Sequence, residues 1–238
     1  MADVVREQFG KAGEKAGKTG TVLRLSRPPV NALWVDLLEE LEQALREEVE
    51  AGASAIVLTG AGSCFSAGID IKASAGASRE QQLAGVTAIN NTVLALFALP
   101  VPVVAAVNGH ALGGGLVLPL ACDLVLATRA PCKLGLNEVA AGVPFPAAAL
   151  AAVRARLSPP VFNNLCITGR TFDPEEALAL GVVDELCEGD PAARSMELAA
   201  ALGAFPAYTR VKEQVRAPQL AEMRELVAHD PMLTSWIA

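Results

Sequence analysis

The chain alternates short apolar segments with glycine-containing turns and helical segments. Residues 54–59 (SAIVLT) and 101–107 (VPVVAAV) are each suited to a buried strand, and each is followed by a glycine-rich turn and a helical segment. Parallel strands need such a crossover, because the chain has to return to the end of the sheet where the previous strand began before the next strand can start. This order of segments predicts an α/β fold.

The apolar spacing also indicates where the elements lie. Leucines 37, 38, 41 and 45 form one face of a helix, and acidic residues form the other. The predicted strands cover residues 21–26, 54–59, 101–107, 123–127 and 182–186. The predicted helices cover residues 34–51, 116–122, 146–156, 159–168 and 174–180, with one more ending near residue 98 and two at the end of the chain. Residues 10–20 are expected to form a solvated loop, and residues 73–82 a polar segment.

Charge and hydropathy argue against several classes of function. The formal net charge is −7, the wrong sign for a protein that binds the phosphate backbone of nucleic acids. The most apolar window, residues 93–107, is too short for a membrane span and contains two prolines. The five cysteines are scattered, without a C-x-x-C pair, which indicates neither a disulfide framework nor a zinc site. We expect a cytoplasmic protein with no nucleic acid, membrane or metal partner.

The usual catalytic motifs are also missing. The chain has only two histidines, His110 and His229, which argues against a histidine-based metal site and against a Ser-His-Asp triad. The patterns G-x-x-x-x-G-K-[ST], G-x-S-x-G and, after a strand, G-x-G-x-x-G are absent. An enzyme with this sequence would depend on backbone groups and carboxylates.

Two turns fit that requirement. Residues 65–72 (FSAGIDIK) and 108–115 (NGHALGGG) each follow a predicted buried strand. Glycine lets the backbone come close to a ligand, and a helix N-terminus presents free N–H groups, so two such donors could polarise a thioester carbonyl. The alternative is that these glycines only permit tight packing of helix on sheet.

Several segments occur together in an order typical of one family. The sequence resembles the crotonase, or enoyl-CoA hydratase/isomerase, superfamily over most of its length. The matching segments are Arg27-Pro28 with VNAL at 30–33, IVLTG at 56–60, residues 65–72, residues 102–123, GLNEV at 135–139 with GVP at 142–144, TGR at 168–170 with Ala177, and GVVD at 181–184.

The resemblance implies a fold, a ligand and an assembly. The fold would be a spiral of repeated ββα units over residues 1–190, with a helical C-terminal region over residues 191–238 that drives formation of a trimer or a dimer of trimers. The ligand would be an acyl-CoA thioester. No separate cofactor would be needed, because coenzyme A is part of the substrate.

The resemblance also implies a set of site residues. The backbone N–H groups of Ile69 and Gly114 would form the oxyanion hole. Lys72 or Lys212 would contact the CoA phosphates, and Phe145 would narrow the pocket. The residues that would bind the substrate are Asn31, Ala32, Leu33, Ala67, Gly68, Asp70, Lys72, Gly113 and Phe145. From the residues alone, Asp70 and Asp123 are expected to fix loop and strand ends, and His110 to be structural.

The choice of reaction depends on two carboxylate positions. Hydratases of this family hold a water between two glutamates, and the first of these positions is Val117 here. Glu138 occupies the second, within a GLNE motif similar to that of 3-enoyl-CoA to 2-enoyl-CoA isomerases, which use one carboxylate. Because partial burial would raise its pKa, Glu138 is predicted to be the acid/base of an isomerase. The alternatives are a hydratase, a non-catalytic acyl-CoA binder, and an ordinary exposed carboxylate at Glu138.

Overall fold

The computed structural model describes residues 2–10 and 19–233, and the α/β prediction is confirmed. The loop predicted for residues 10–20 falls mostly on residues 11–18, outside the described residues. The strands in the described part are β1 (Val4–Phe9), β2 (Gly20–Leu25), β3 (Ile56–Gly60), β4 (Cys64–Ser66), β5 (Val103–Val107), β6 (His110–Leu112), β7 (Leu124–Thr128), β8 (Leu134–Gly135), β9 (Thr171–Phe172) and β10 (Glu185–Cys187).

Helices connect these strands. They are α1 (Val35–Glu50), α2 (Ile71–Gly76), α3 (Arg79–Ala98), α4 (Gly114–Ala121), α5 (Glu138–Ala141), α6 (Ala147–Arg156), α7 (Pro159–Thr168), α8 (Pro174–Ala179), α9 (Ala192–Gly203) and α10 (Tyr208–Ala228). A short 3-10 helix follows at Pro231–Leu233. Within the described residues, none of the helices is both long enough and apolar enough to cross a bilayer.

The strands form two sheets, and successive pairs of strands along the chain add one strand to each sheet. The larger sheet has the order β1-β2-β3-β5-β7-β10, and the smaller has the order β4-β6-β8-β9. Each of the pairs β3/β4, β5/β6 and β7/β8 therefore supplies one strand to each sheet before the chain enters helices. This repetition is the predicted spiral of ββα units.

The central strands of the larger sheet are buried on both faces. Leu58 pairs with Leu23 on one side and Ala105 on the other, and all three belong to the main apolar core with α1 and α3. The alternate residues, such as Val57 and Val104, belong to a second cluster formed with α9. Burial on both faces explains why apolar residues predominate in these strands without a polar/apolar alternation.

The segment predicted to be polar, residues 73–82, comprises the end of α2, a break at residues 77–78 and the start of α3. Asp70 accepts a hydrogen bond from Ala73 N at 2.9 Å and starts α2, and Ser78 with Gln81 forms a capping box that starts α3. These short polar side chains satisfy the free N–H groups of a helix start. A correction concerns the strand expected at residues 182–186, because β10 begins only at Glu185.

The C-terminal region is helical as far as it is described. The helix α9 packs on the larger sheet, and α10 packs on α3 and α6. Residues 234–238 lie outside the described part of the chain. The division at residue 190 and the assembly into trimers stay predictions.

Candidate active site

The two glycine turns meet at the end of the smaller sheet. Gly68 has a φ of +83°, and a Cβ atom there would lie 2.5 Å from Leu112 O and 3.2 Å from Gly114 N. A residue with a side chain would be strained and would clash with backbone at this position. Gly68 therefore lets the turn after β4 touch the turn that starts α4.

The packing role of glycine, the alternative considered for these turns, applies to Gly115. A Cβ atom on Gly115 would lie 2.1 Å from Ser66 O, so this residue lets α4 sit directly against β4. Gly113 and Gly114 instead line a cavity. The glycine triplet thus combines close packing with backbone exposed to the cavity.

Two backbone N–H groups at this meeting point are available to a ligand. Leu33 forms a parallel β-bridge with the segment around Ile69: Leu33 N donates to Gly68 O at 2.8 Å, and Asp70 N donates to Leu33 O at 2.9 Å. Ile69 lies between these two bonded residues, so its own N–H points away from Leu33. Gly114 is the first residue of α4, so its N–H has no acceptor within the helix. Among the described residues, neither N–H group donates to a backbone carbonyl, and both residues line the same cavity.

Glu138, the first residue of α5, lines the same cavity as these turns. Its Oε1 atom would lie 3.6 Å from a Cβ atom on Gly113, and its buried Oε2 atom has no hydrogen-bond partner. Burial raises the pKa of Glu138 to about 7, and a hydrogen bond from its own backbone opposes the rise only in part. The direction predicted from the sequence is confirmed.

The rest of the cavity wall is almost entirely apolar. Val117, which lies one turn after Gly114 in α4, is 1% exposed and lines the cavity at the position where a hydratase would have its first glutamate. Among the described lining residues, Glu138 is the one ionisable side chain, and Asn137 is the other polar one. The full lining is Ala67, Gly68, Ile69, Ile71, Ile89, Gly113, Gly114, Val117, Asn137, Glu138, Ala141, Val143, Pro144, Pro146 and Ala149.

Six of the residues predicted for the site line this cavity. They are Ala67, Gly68, Ile69, Gly113, Gly114 and Glu138. Ala32 is half-buried and Lys72 is exposed; neither lines the cavity, and their contacts with the CoA arm stay predictions.

Asn31 does not line the cavity, and the polar atoms of its side chain are used within the fold. Its side-chain amide donates to Ala61 O, Cys64 O and Phe65 O at 2.8–3.2 Å, and its Oδ1 atom accepts from Arg27 N. The residue is 1% exposed. The Asn31 side chain therefore shapes the turn, and a contact of this residue with the substrate stays a prediction.

Leu33 and Asp70 also act from behind the cavity. Leu33 is buried, and its Cδ1 atom would lie 3.3 Å from a Cβ atom on Gly114, so it supports the turn that presents the Gly114 N–H. Asp70 caps α2, as expected for a residue that fixes a loop end. Neither residue lines the cavity, and their contact with the substrate stays a prediction.

Phe145 is directed away from the cavity. It lines a neighbouring groove with Cys166 and is not among the residues that line the cavity. Val143 and Pro144 line both the groove and the cavity. The prediction that Phe145 narrows the substrate pocket therefore finds no support in the lining of this cavity and stays a prediction.

Lys212 is not available to a phosphate. Its Nζ atom lies 2.7 Å from Asp123 Oδ2 and 2.8 Å from Val101 O, and its side chain is 7% exposed. Asp123 also accepts from Val103 N at 2.7 Å, which confirms its predicted role at a strand end. His110 accepts from Lys133 N at 3.0 Å through Nδ1, consistent with a structural role.

The sequence interpretation missed several lining residues. Val143 and Pro144 belong to the GVP segment that carried the resemblance, which was a usable signal. Ile89 and Ala149 come from helices distant in sequence, and nothing in their local pattern distinguishes them from other core residues.

Comparisons with known proteins agree on one family. The family model described as enoyl-CoA hydratase/isomerase matches residues 17–234. YngF of Bacillus subtilis, whose name assigns it to the enoyl-CoA hydratases/isomerases, is 37% identical over 77% of this chain and 72% of its own length. EchA17 of Mycobacterium tuberculosis, named as a probable enoyl-CoA hydratase, is 35% identical over 71% of this chain and 65% of its own length. The crystal structure of human mitochondrial delta3-delta2-enoyl-CoA isomerase superposes with a TM-score of 0.81 at 25% identity, covering 87% of this chain and 82% of that chain.

Proposed function

This chain belongs to the enoyl-CoA hydratase/isomerase family, and we propose that it converts a 3-enoyl-CoA thioester into the 2-enoyl-CoA isomer with Glu138 as the single acid/base. The observation that carries the proposal is one buried carboxylate, with a pKa of about 7, beside two free backbone N–H groups in an apolar cavity. Val117 supports it further, because an aliphatic side chain can neither orient a water nor transfer a proton.

The first step is removal of a proton from C2 by the ionised Glu138. The electron pair moves to the thioester oxygen as the dienolate forms. The N–H groups of Ile69 and Gly114 would donate to that oxygen, and the N-terminus of α4 adds its partial positive charge. Donors that are already in place need no reorganisation when the negative charge develops.

The second step returns the same proton to C4 and leaves the double bond between C2 and C3. A carboxyl group with a pKa near 7 suits both steps, because neither the ionised nor the protonated form is strongly disfavoured at neutral pH. The apolar wall limits the entry of water, which would otherwise exchange the proton or add to the double bond. The proposal needs no cofactor beyond the coenzyme A of the substrate.

Hydration of a 2-enoyl-CoA is the second candidate. EchA17 is named as a hydratase, and Asn137 in the cavity lining offers a polar side chain that could hold a water beside Glu138. In this reaction Asn137 would have to hold the water in place of the first glutamate of a hydratase, whose position is occupied here by Val117.

We expect the rate of isomerisation to depend on pH through Glu138. Since the base must be ionised in the free enzyme, kcat/KM should fall about ten-fold for each unit below a pKa of about 7. A pH profile with a 3-enoyl-CoA substrate measures this. Constant activity down to pH 5 would show that the base has the pKa of an ordinary exposed carboxylate.

The proposed function is tested with two substrates. The purified protein is incubated separately with a 3-enoyl-CoA and a 2-enoyl-CoA, and products are followed by ultraviolet absorbance and mass spectrometry. We expect the 3-enoyl-CoA to gain the absorbance of a conjugated thioester with no change in mass. Addition of one water to the 2-enoyl-CoA would favour the hydratase, and no reaction with either substrate would contradict both.

A further inference from the structure

The N-terminus of α6 is capped by two side chains from distant parts of the chain. Ala147 N donates to Asp230 Oδ2 at 2.8 Å, and Ala148 N donates to Asn90 Oδ1 at 2.9 Å. The residue at the N-cap position is Pro146, whose side chain has no acceptor. The start of α6 therefore depends on Asn90 and Asp230 for the acceptors that a helix start requires.

The two capping side chains also bind each other. Asn90 Nδ2 donates to Asp230 Oδ2 at 2.8 Å, and Met232 N donates to Asp230 Oδ1 at 2.9 Å. Asn90 is 1% exposed and Asp230 is 3% exposed, so water cannot readily replace these bonds. The cluster fixes three segments against one another: α3, the start of α6 and the segment after α10.

This capping cluster adjoins one wall of the cavity. Ile89, Pro146 and Ala149 line the cavity, and each is the chain neighbour of a residue in the cluster. The two helices that carry them, α3 and α6, are in contact. Any movement of the start of α6 relative to α3 would therefore change the shape of this wall.

We infer that Asn90 and Asp230 are positioning residues that set the length of acyl chain the cavity accepts. This inference rests on the proposed function, because it assigns the cavity to the acyl group of a CoA thioester. Loss of the cap leaves buried N–H groups without acceptors, so the first turn of α6 shifts and the wall of Ile89, Pro146 and Ala149 opens. A longer acyl chain then fits where the wild-type wall excludes it.

The test compares two substrates in wild type, Asp230→Ala and Asp230→Asn. The ratio of kcat/KM for 3-decenoyl-CoA to that for 3-hexenoyl-CoA should rise at least about ten-fold in Asp230→Ala, because even one methylene in an apolar pocket changes discrimination by that order. Asp230→Asn, which keeps one oxygen acceptor, should give a smaller rise. A role in stability alone would lower both rates together and leave the ratio unchanged.

A matched control removes a helix cap far from the cavity lining. Asp173 Oδ1 accepts from Glu176 N at 2.8 Å and caps α8, which contributes no lining residue. Asp173→Ala should leave the ratio of the two substrates unchanged. An equal change in Asp173→Ala and Asp230→Ala would overturn the inference.

Two further measurements keep the inference testable on its own. Ile89→Ala enlarges the cavity directly at the same wall and should raise the same ratio; an unchanged ratio would show that this wall does not limit chain length.

The affinities of decanoyl-CoA and butyryl-CoA, measured by calorimetry, require no turnover. A shift of their ratio in Asp230→Asn supports the inference even where the isomerase proposal fails, and an unchanged ratio in binding contradicts it.

Discussion

Replacement of Glu138 by Gln should lower kcat for double-bond migration by about 10⁴-fold, the upper end of the range for loss of a positioned acid/base. The reason is that Glu138 is the one ionisable side chain among the described residues of the cavity lining, so no neighbour can take over the proton. Gln is nearly isosteric and leaves the two N–H groups in place. The affinity for CoA thioesters, measured by calorimetry, should therefore change little.

The same variant should change stability in a pH-dependent way. The folded-state pKa of Glu138 is about 7, above the ordinary value of 4.5, so the folded protein holds this proton more tightly than the unfolded chain. Wild type then loses stability as the pH rises from about 4.5 to about 7, by roughly 3 kcal/mol, and Glu138→Gln lacks this loss. Denaturant unfolding at pH 4.5 and pH 8 should show that the free energy of unfolding of the variant, relative to that of wild type, is higher at pH 8 than at pH 4.5.

A matched control for this variant is Glu80→Gln. Glu80 also lies in the first turn of a helix, α3, but it is exposed and does not line the cavity. It should change neither kcat nor the pH dependence of unfolding. Full activity in Glu138→Gln would remove this residue from the mechanism, and loss of CoA affinity would indicate damage to the fold instead.

Replacement of Gly114 by Pro should lower kcat by about 10²- to 10³-fold, as expected for loss of one oxyanion donor. Proline has no N–H group but is well tolerated at the first position of a helix, which Gly114 occupies in α4. The substitution therefore removes the donor while the helix start is kept. Steady-state kinetics with a 3-enoyl-CoA measure the effect.

The control for this second variant is Gly114→Ala, which keeps the N–H group. Its Cβ atom would lie 3.3 Å from Leu33 Cδ1, the far end of a flexible side chain, so a small adjustment of Leu33 accommodates it. Gly114→Ala should retain far more activity than Gly114→Pro. Equal activity in the two variants would show that the N–H of Gly114 does not bind the thioester oxygen.

The sequence was sufficient to predict five of the six strands of the larger sheet but none of the smaller one. All five residues of β3 and of β5 are buried, and apolar residues predominate in both strands because both of their faces are covered. Strands β4, β6, β8 and β9 have only two or three residues each, too few for a periodic pattern. The smaller sheet is set by the spiral of the chain, which is a tertiary property.

The first strand was missed for a different reason. β1 has the sequence VVREQF and is mostly exposed, because it lies at the edge of the larger sheet and pairs only with β2. An edge strand with four exposed residues in succession shows neither a continuous apolar run nor a clean alternation. Its structure depends on the pairing with β2 rather than on its own pattern.

The candidate site was predictable where backbone motifs define it. The GLNE segment led to Glu138, and the glycine turns led to Ile69 and Gly114, all of which line the cavity. The sequence is less informative where the direction of one side chain decides the outcome: Phe145 lines a neighbouring groove, and Lys212 pairs with Asp123. Ile89 and the capping residue Asp230 are separated from Glu138 by many residues of sequence, so only the folded chain shows their relation to the site.

The most direct test of the single-carboxylate mechanism follows the transferred proton itself. A 3-enoyl-CoA carrying deuterium at C2 is converted in ordinary water under single-turnover conditions, and the position of the label in the product is read by nuclear magnetic resonance. One carboxylate that moves the proton from C2 to C4 within an apolar cavity predicts 2-enoyl-CoA with deuterium at C4. A product whose new hydrogen at C4 comes entirely from solvent, or one that has gained a water, would contradict this account.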